Sequence, residues 1–105
     1  MFFNAPRIIT TSIPKKKANA FVLDLIRCKL IACAQIHDDI QSVYLWHGKI
    51  IKDREAVIVM KTLKRNISAI KFFFKEYHPY EVPEFIVHKF NGTNQYIDWI
   101  KRETQ

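Results

Sequence analysis

Glycine is scarce in this chain, because its 105 residues include only Gly48 and Gly92. Phosphate-binding loops need closely spaced glycines, since backbone N–H groups must come very near the phosphate oxygens. The sequence therefore excludes a P-loop and a dinucleotide fingerprint. It also has no G-x-S-x-G and no H-E-x-x-H motif, which carry hydrolase and metalloprotease chemistry. With no catalytic motif, we expect a protein that is not an enzyme.

Cysteine is equally scarce, and the two cysteines are Cys28 and Cys33. Their spacing matches no common zinc or redox motif. Both lie in the apolar stretch LIRCKLIACAQI, where cysteine usually behaves as a small hydrophobic residue. We therefore expect two buried, reduced thiols and no disulfide.

Long hydrophobic runs are missing, so the sequence predicts no membrane-spanning helix. The first residues, MFFNAPRIITTSI, lack the basic start and long apolar stretch of a secretory signal. We expect a cytoplasmic protein without a membrane partner. The length is typical of one domain, so residues 1–105 are predicted to form a single domain.

Basic residues are in excess, with a net charge of +7. Such a charge permits attraction to nucleic acid or to small anions. The basic residues are spread along the chain, however, and Lys15–Lys17 form the only run. The glycine- and aromatic-rich pattern of RNA-recognition modules is also absent. We therefore expect a solvated basic surface and no nucleic-acid partner.

Hydrophobic periodicity predicts alternating strands and helices. Two helical segments carry apolar residues at intervals of three and four, and the strands are rich in β-branched residues. Asp38–Asp39 is interpreted as a polar turn. The predicted elements are a strand at 7–13, a helix at 15–30, strands at 31–36, 42–46 and 50–62, a helix at 67–77, a strand at 85–90, and a short helix capped by Thr93 or Asn94.

This β-α-β-β-α-β-α order predicts an α+β protein with a ferredoxin-like βαββαβ sandwich and an extra C-terminal helix. The strand at 55–62 is apolar on both faces, since Ala56 and Ile58 alternate with Val57 and Val59. The sheet face without helices would then carry large apolar and aromatic side chains, with Tyr44, Trp46, Val57 and Val59 as candidates. Burying that face against identical subunits avoids an exposed apolar patch, so we expect a homo-oligomer.

Several motifs together resemble one known family, the CutA divalent-cation-tolerance proteins. The resemblance runs from about Ile8 to Ile100 and covers almost the whole chain. The matching motifs are LIACAQI (30–36), SVYLWHGKI (42–50), E-AVIVMKT (55–62), HPYEVPEF (78–85) and YIDWI (96–100).

The resemblance implies a ferredoxin-like protomer, similar to PII signalling proteins, assembled as a tight homotrimer with long hairpins reaching across the interfaces. It implies a role in the response to metal ions, copper included, and no defined reaction. In the copper-linked members, the proposed metal ligands are a cysteine at the end of the first strand and two adjacent histidines before a proline. Here the corresponding positions carry Thr11, and Tyr77 before His78.

His78, in HPYEVPEF, is the best candidate for a metal ligand, because imidazole suits copper and zinc. Glu84, and Glu81 beside it, could add oxygen ligands for Cu(II) or another divalent metal. The alternative is a stiff helix-to-strand connection in which His78 hydrogen-bonds a neighbouring group and Tyr80 packs.

A second possibility is a PII-like sensor of a small anionic metabolite. The resemblance suggests clefts between subunits in which Tyr44, Trp46 and Lys61 could approach His78 and Glu84. The aromatic side chains would form a floor, and basic charge would attract the anion. Independently, period-2 counting places Glu55 and Lys61 on one strand face, which we interpret as a structural ion pair.

Overall fold

The computed structural model describes residues 4–105. The order of elements is the predicted one, with a 3₁₀ turn at Lys64–Asn66 added before the second helix. The elements are β1 (Pro6–Ile13), α1 (Lys15–Arg27), β2 (Cys33–Trp46), β3 (Lys49–Leu63), α2 (Ile67–Tyr77), β4 (Ile86–Lys89) and α3 (Asn94–Glu103).

The four strands form one antiparallel sheet in the order β2-β3-β1-β4. Alternate residues of β1 and β3 face a single core with one stripe each of α1 and α2. The core therefore lies on one side of the sheet, which confirms the ferredoxin-like α+β sandwich. The opposite side of the sheet, called here the open face, is covered by neither α1 nor α2. The fully buried core side chains of these elements include Ile9, Ile13, Leu25, Ile58, Met60 and Ile70.

Helix α1 ends at Arg27, three residues before its predicted end at 30. Lys29 takes a left-handed conformation with φ of 59°. Its N–H bonds the carbonyl of Ile26, and the N–H of Leu30 bonds the carbonyl of Leu25. These two bonds form a Schellman motif, which usually has glycine at the left-handed position.

The early end of α1 also corrects the prediction for the thiols. Cys28 follows the last helical residue and is exposed, so the expectation of burial is wrong there. Cys33, at the start of β2, is half-buried, and its Sγ lies 3.7 Å from the hydroxyl oxygen of Tyr96 in α3. Both cysteines are free.

In α2, the buried face differs slightly from the stripe that the helical spacing predicts, which is Ile67, Ile70, Phe74 and Tyr77. Ile70, Phe73 and Phe74 are buried, whereas Tyr77 is exposed and packs its ring 4.8 Å from that of Phe73. The helix ends at Tyr77 as expected, because the residue before a proline is disfavoured in the helical region. In α3, the hydroxyl of Thr93 accepts the N–H of Tyr96, which identifies Thr93 as the cap.

Strand β2 is continuous, so the predicted polar turn at Asp38–Asp39 is wrong. The pairing with β3 instead shifts by one residue between His37 and Ile40, which is a β-bulge. Asp39 adopts φ of 59°. Its carboxylate accepts from Arg54 at 2.9 Å and from Lys15 at 3.1 Å, so the bulge is tied to β3 and to α1.

The bulge changes which side chains of β2 face the helices. Before it, Ile36 pairs with Ile58 on the core side; after it, Tyr44 pairs with Ile51 and Trp46 with Lys49. Because side chains alternate along a strand, Tyr44 and Trp46 share the open face with the odd-numbered residues of β3. The predicted common face of Tyr44, Trp46, Val57 and Val59 is thereby confirmed.

Beyond the bulge, β2 and β3 continue as a long hairpin, called here the arm (residues 40–55). Gly48 and His47 at its tip both have positive φ, of 77° and 50°, as a tight two-residue hairpin turn requires. The arm helps to stretch the molecule to 44 × 24 × 22 Å. Large apolar side chains on it remain exposed, including Leu45 and Ile50 at 71% each. No helix within residues 4–105 is long and apolar enough to cross a membrane.

Candidate functional site

The loop between α2 and β4 is anchored by His78. Its Nδ1 accepts the N–H of Tyr80 at 3.2 Å, so the ring proton resides on Nε2. Nε2 then donates to the carbonyl oxygen of Ser12 at 3.0 Å and lies 3.3 Å from the hydroxyl of Thr11. Both nitrogens therefore have partners within the protein, and the loop is fixed to the end of β1.

The surroundings of His78 favour its neutral form. The ring is buried against Phe21, Phe74 and Tyr80, with centroids 5.1 to 5.4 Å away. Burial lowers the pKa of His78, while the bond to Ser12 and the charge of Glu55 oppose that shift.

Tyr80 continues this chain of hydrogen bonds to β3. Its hydroxyl donates to Oε2 of Glu55 at 2.6 Å. The short distance is typical of an O–H donor on an ionised acceptor. Burial and the bond to Glu55 both raise the pKa of Tyr80 well above its usual value, so it remains a proton donor. These hydrogen bonds thus connect β1 to β3 through His78, Tyr80 and Glu55.

A cavity of about 640 Å³ opens where this loop meets the arm. Its walls combine three aromatic rings with aliphatic side chains and three carboxylates. None of the residues lining it is a lysine or an arginine. The residues lining it are Ser12, Ser42, Val43, Tyr44, Trp46, Ile51, Glu55, Val57, Pro79, Tyr80, Glu81, Val82 and Glu84.

The carboxylates influence each other across this cavity. Partial burial and the charge of Glu55 raise the pKa of Glu84. At the mouth, the hydroxyl of Tyr44 donates to Asp53 at 3.4 Å. Desolvation and the nearby charge of Asp53 raise the pKa of Tyr44. The cavity therefore collects carboxylates on a chain whose net charge is +7.

Three of the predicted site residues, Tyr44, Trp46 and Glu84, line the cavity together. His78 lies behind it. Lys61 does not join them within the chain, because it is six residues from Glu55, or about 20 Å along an extended strand. Its ammonium donates to the side chain of Gln35. The predicted Glu55–Lys61 ion pair is therefore wrong.

Sequence reasoning missed Glu55 and Tyr80 as parts of the site. A usable signal was present: Glu55 is a carboxylate in the same alternating set of strand positions as the apolar Val57 and Val59. Such a buried charge requires a partner. The partner is 25 residues away in sequence, so the strand pattern could not identify it.

The predicted metal ligands do not form a ready-made cluster. Among residues 4–105, no three His, Cys, Asp or Glu side chains are grouped so as to hold a metal ion. A metal on His78 would have to displace the hydrogen bond to Tyr80 or the one to Ser12. Thr11 lies against His78, whereas Tyr77 points to solvent.

The lowered pKa of His78 gives a testable dependence on pH. Near pH 6.5 the unfolded chain would take up a proton on this histidine while the folded chain would not. Acidification from pH 7 therefore favours the unfolded state until the folded pKa is passed. We expect an NMR titration to give His78 a pKa below 6.5. We also expect the free energy of unfolding to fall less for His78→Gln than for the parent when the pH is lowered from 7. A pKa of 6.5 or above would contradict the assignment.

Residues 7–103 match the family model described as CutA1 divalent ion tolerance protein. The resemblance based on the sequence motifs is thereby confirmed.

Two relatives illustrate the range of lengths. The divalent-cation tolerance protein CutA of Pyrococcus horikoshii is 34% identical over 100 residues, covering 93% of this chain and 97% of that protein. The chloroplastic protein CutA 1 of rice is also 34% identical over 100 residues, covering 93% of this chain but 56% of that protein. The chain spans about half the length of several curated relatives that it matches.

Solved structures share the whole architecture. The crystal structure of the divalent ion tolerance protein CutA1 from Ehrlichia chaffeensis has a TM-score of 0.91 at 29% identity, covering 96% of both chains. The PII-like protein CutA from Nostoc, in apo form, has a TM-score of 0.89 at 29% identity, covering 94% of this chain and 97% of that one.

Proposed function

Because this chain belongs to the CutA1 divalent ion tolerance family, we propose that it is a divalent-cation tolerance protein. In this proposal it is a cytoplasmic, non-catalytic, single-domain module that assembles as a homotrimer and takes part in the response to metal ions. Relatives of nearly the same length, from Thermus thermophilus and Pyrococcus horikoshii, carry the name divalent-cation tolerance protein.

The observation that carries the proposal is the charge of the cavity. Glu55, Glu81 and Glu84 all line it, and none of its lining residues is basic. Oxygen-rich acidic sites attract cations and repel anions. The cavity thus supports a role with cations over the sensing of a small anionic metabolite, since Lys61 does not line it within the chain.

Three features support assembly from identical copies. The arm exposes apolar side chains such as Leu45 and Ile50 on both strands. Strand β2 is 14 residues long and lies at an edge of the sheet, where its outer backbone groups can pair with another strand. The open face adds Val57 and Val59, which are only half-buried. Association of copies would cover all three.

Val57→Asp tests this assembly. If copies cover the open face, the substitution buries an unpaired charge at a cost of several kcal/mol and should dissociate the oligomer. Light scattering after gel filtration should give the parent a mass three times 12.5 kDa and the variant a smaller mass. Leu23→Asp, at an exposed position of α1, is the matched control and should assemble normally. A monomeric parent, or an unchanged Val57→Asp oligomer, would refute the proposal.

Within the metal response, Glu84 is the better placed of the two predicted ligands. It faces the cavity near Glu55, whereas the nitrogens of His78 are engaged with Ser12 and Tyr80. A Cu(II) or Zn(II) ion would here be cargo that the protein binds and releases. Its binding would use carboxylate oxygens, and His78 would hold the loop in position.

Calorimetry on metal-stripped protein distinguishes these roles. Titration with Cu(II) and with Zn(II) should show saturable binding. Glu84→Gln should weaken that binding about tenfold or more, and a tenfold change corresponds to about 1.4 kcal/mol of binding free energy. His78→Gln, which keeps a side chain able to bond Ser12 and Tyr80, should retain most of the binding, and His88→Ala, at an exposed position, is the control. Binding lost in His78→Gln but kept in Glu84→Gln would transfer the site to the imidazole, and no binding to the parent would overturn the metal proposal.

A further inference from the structure

The second glycine of this chain lies where the backbone does not require one. Gly48 has a positive φ, whereas Gly92 does not. A Cβ atom at position 92 would lie 4.0 Å from the nearest atoms of Tyr96 and Ile97, which is ordinary van der Waals contact. Glycine costs conformational entropy on folding and usually serves a positive φ or a close approach of two backbones. Neither reason applies at Gly92.

The residue before this glycine is Asn91, the only asparagine of the sequence that a glycine follows. Both residues are exposed and lie between β4 and α3, outside any helix or strand. The backbone N–H of Gly92 donates to Oδ1 of Asn91 at 3.0 Å. The Asn91 side chain is thus folded back over the next peptide bond, which brings its Cγ close to the Gly92 nitrogen. Holding two reacting groups together in this way lowers the entropic part of a barrier.

This connection lies at the end of the sheet that is remote from the arm. Strand β4 ends at Lys89, which pairs with Arg7 near the start of β1. Pro6, the first residue of β1, pairs with Leu63 at the end of β3. The arm continues from the opposite end of β3, so Asn91 and Gly92 are separate from the cavity described above.

We propose that Asn91 is a site of spontaneous covalent modification, at which the backbone nitrogen of Gly92 displaces the side-chain nitrogen. Water or hydroxide takes the N–H proton of Gly92 as its nitrogen forms a bond to Cγ of Asn91. The bond from Cγ to Nδ2 then breaks, and Nδ2 leaves as ammonia after gaining a proton from water. The product is a succinimide, in which the main chain remains unbroken.

Water opens this succinimide in one of two ways. Attack at Cγ breaks its new bond to nitrogen and gives aspartate. Attack at the backbone carbonyl carbon of residue 91 gives isoaspartate, in which the main chain runs through Cγ. Either route consumes a water molecule overall and releases ammonia, with no oxidation or reduction.

The two products differ in their effect on α3, which begins directly after this connection. The hydroxyl of Thr93 accepts the N–H of Tyr96 at 3.2 Å, and its carbonyl accepts the N–H of Ile97 at 3.0 Å. Aspartate at position 91 is tolerated, since negative charge near a helix N-terminus is favourable. Isoaspartate adds a methylene to the main chain before Thr93 and displaces this cap. We therefore expect isoaspartate alone to weaken the first turn of α3.

The test incubates the full chain in its folded, assembled state at neutral and at mildly alkaline pH. Peptide mass spectrometry should find the amide-to-acid conversion at Asn91, and an isoaspartyl methyltransferase should label the isoaspartate fraction. Conversion should be faster at alkaline pH, because the Gly92 nitrogen must lose its proton. Asn19, Asn66 and Asn94 are internal controls, since they lie in helical segments and precede residues with side chains. They should remain amides.

Gly92→Ala is the matched variant, because the structure has room for the added methyl group. The new Cβ hinders closure of the succinimide, so this variant should lose most of the conversion and keep the parent fold. An Asn91 that stays an amide in the folded chain would overturn the inference. Conversion that occurs only after unfolding in urea, or equal conversion in Gly92→Ala, would do the same.

Hydrogen exchange measures the effect on α3. The amides of Tyr96 and Ile97 should lose protection in the isoaspartate fraction of aged protein. Asn91→Asp, which supplies the other product directly, should keep the parent's protection when freshly purified. Unchanged protection in the isoaspartate fraction would overturn the effect on the helix. None of these outcomes depends on whether Cu(II) or Zn(II) binds.

Discussion

The extra residue that β2 carries at Asp38–Asp39 sets the orientation of every side chain beyond it. Period-2 alternation means that a shift of one residue turns a whole strand segment over. The shift directs Tyr44 and Trp46 to the open face, where they meet Glu55. Asp39 holds the bulge through Arg54 and Lys15, which together lower its pKa to about 2. The clamp therefore stays ionised at neutral pH, although salt screens such exposed pairs.

The second constraint is the loop that closes the cavity opposite the arm. His78 ties it to β1, and Tyr80 ties it to Glu55 on β3. Pro79 between them restricts the backbone, so little conformational entropy remains to be lost when the two side chains are fixed. The stiff connection considered for HPYEVPEF thus has a specific structure, and it is what places Glu84 and the ring of Tyr80 beside the arm. Structural and functional interpretations of the motif are compatible.

The order of elements was predictable because apolar periodicity and the Tyr77–Pro79 boundary are local signals. The bulge was not, because two aspartates in sequence are more typical of a turn, and only the pairing with Arg54 and Lys15 reveals their role. The end of α1 was missed because Lys29 occupies a left-handed position where glycine would have been the signal. The site was half predictable: Tyr44, Trp46 and Glu84 followed from motifs, whereas the Tyr80–Glu55 contact joins positions far apart in sequence.

The placement of Tyr44 and Trp46 therefore depends on the register of β2 and β3 beyond the bulge. It can be measured directly from cross-strand Hα–Hα contacts in NMR spectra, which are short in the non-hydrogen-bonded pairs of an antiparallel ladder. We expect contacts between Leu45 and Ile50 and between Val43 and Lys52, in the register that sets Tyr44 opposite Ile51. Contacts in the register without a bulge, with Val43 opposite Ile51, would turn Tyr44 and Trp46 away from Glu55 and contradict both the cavity and the open face described here.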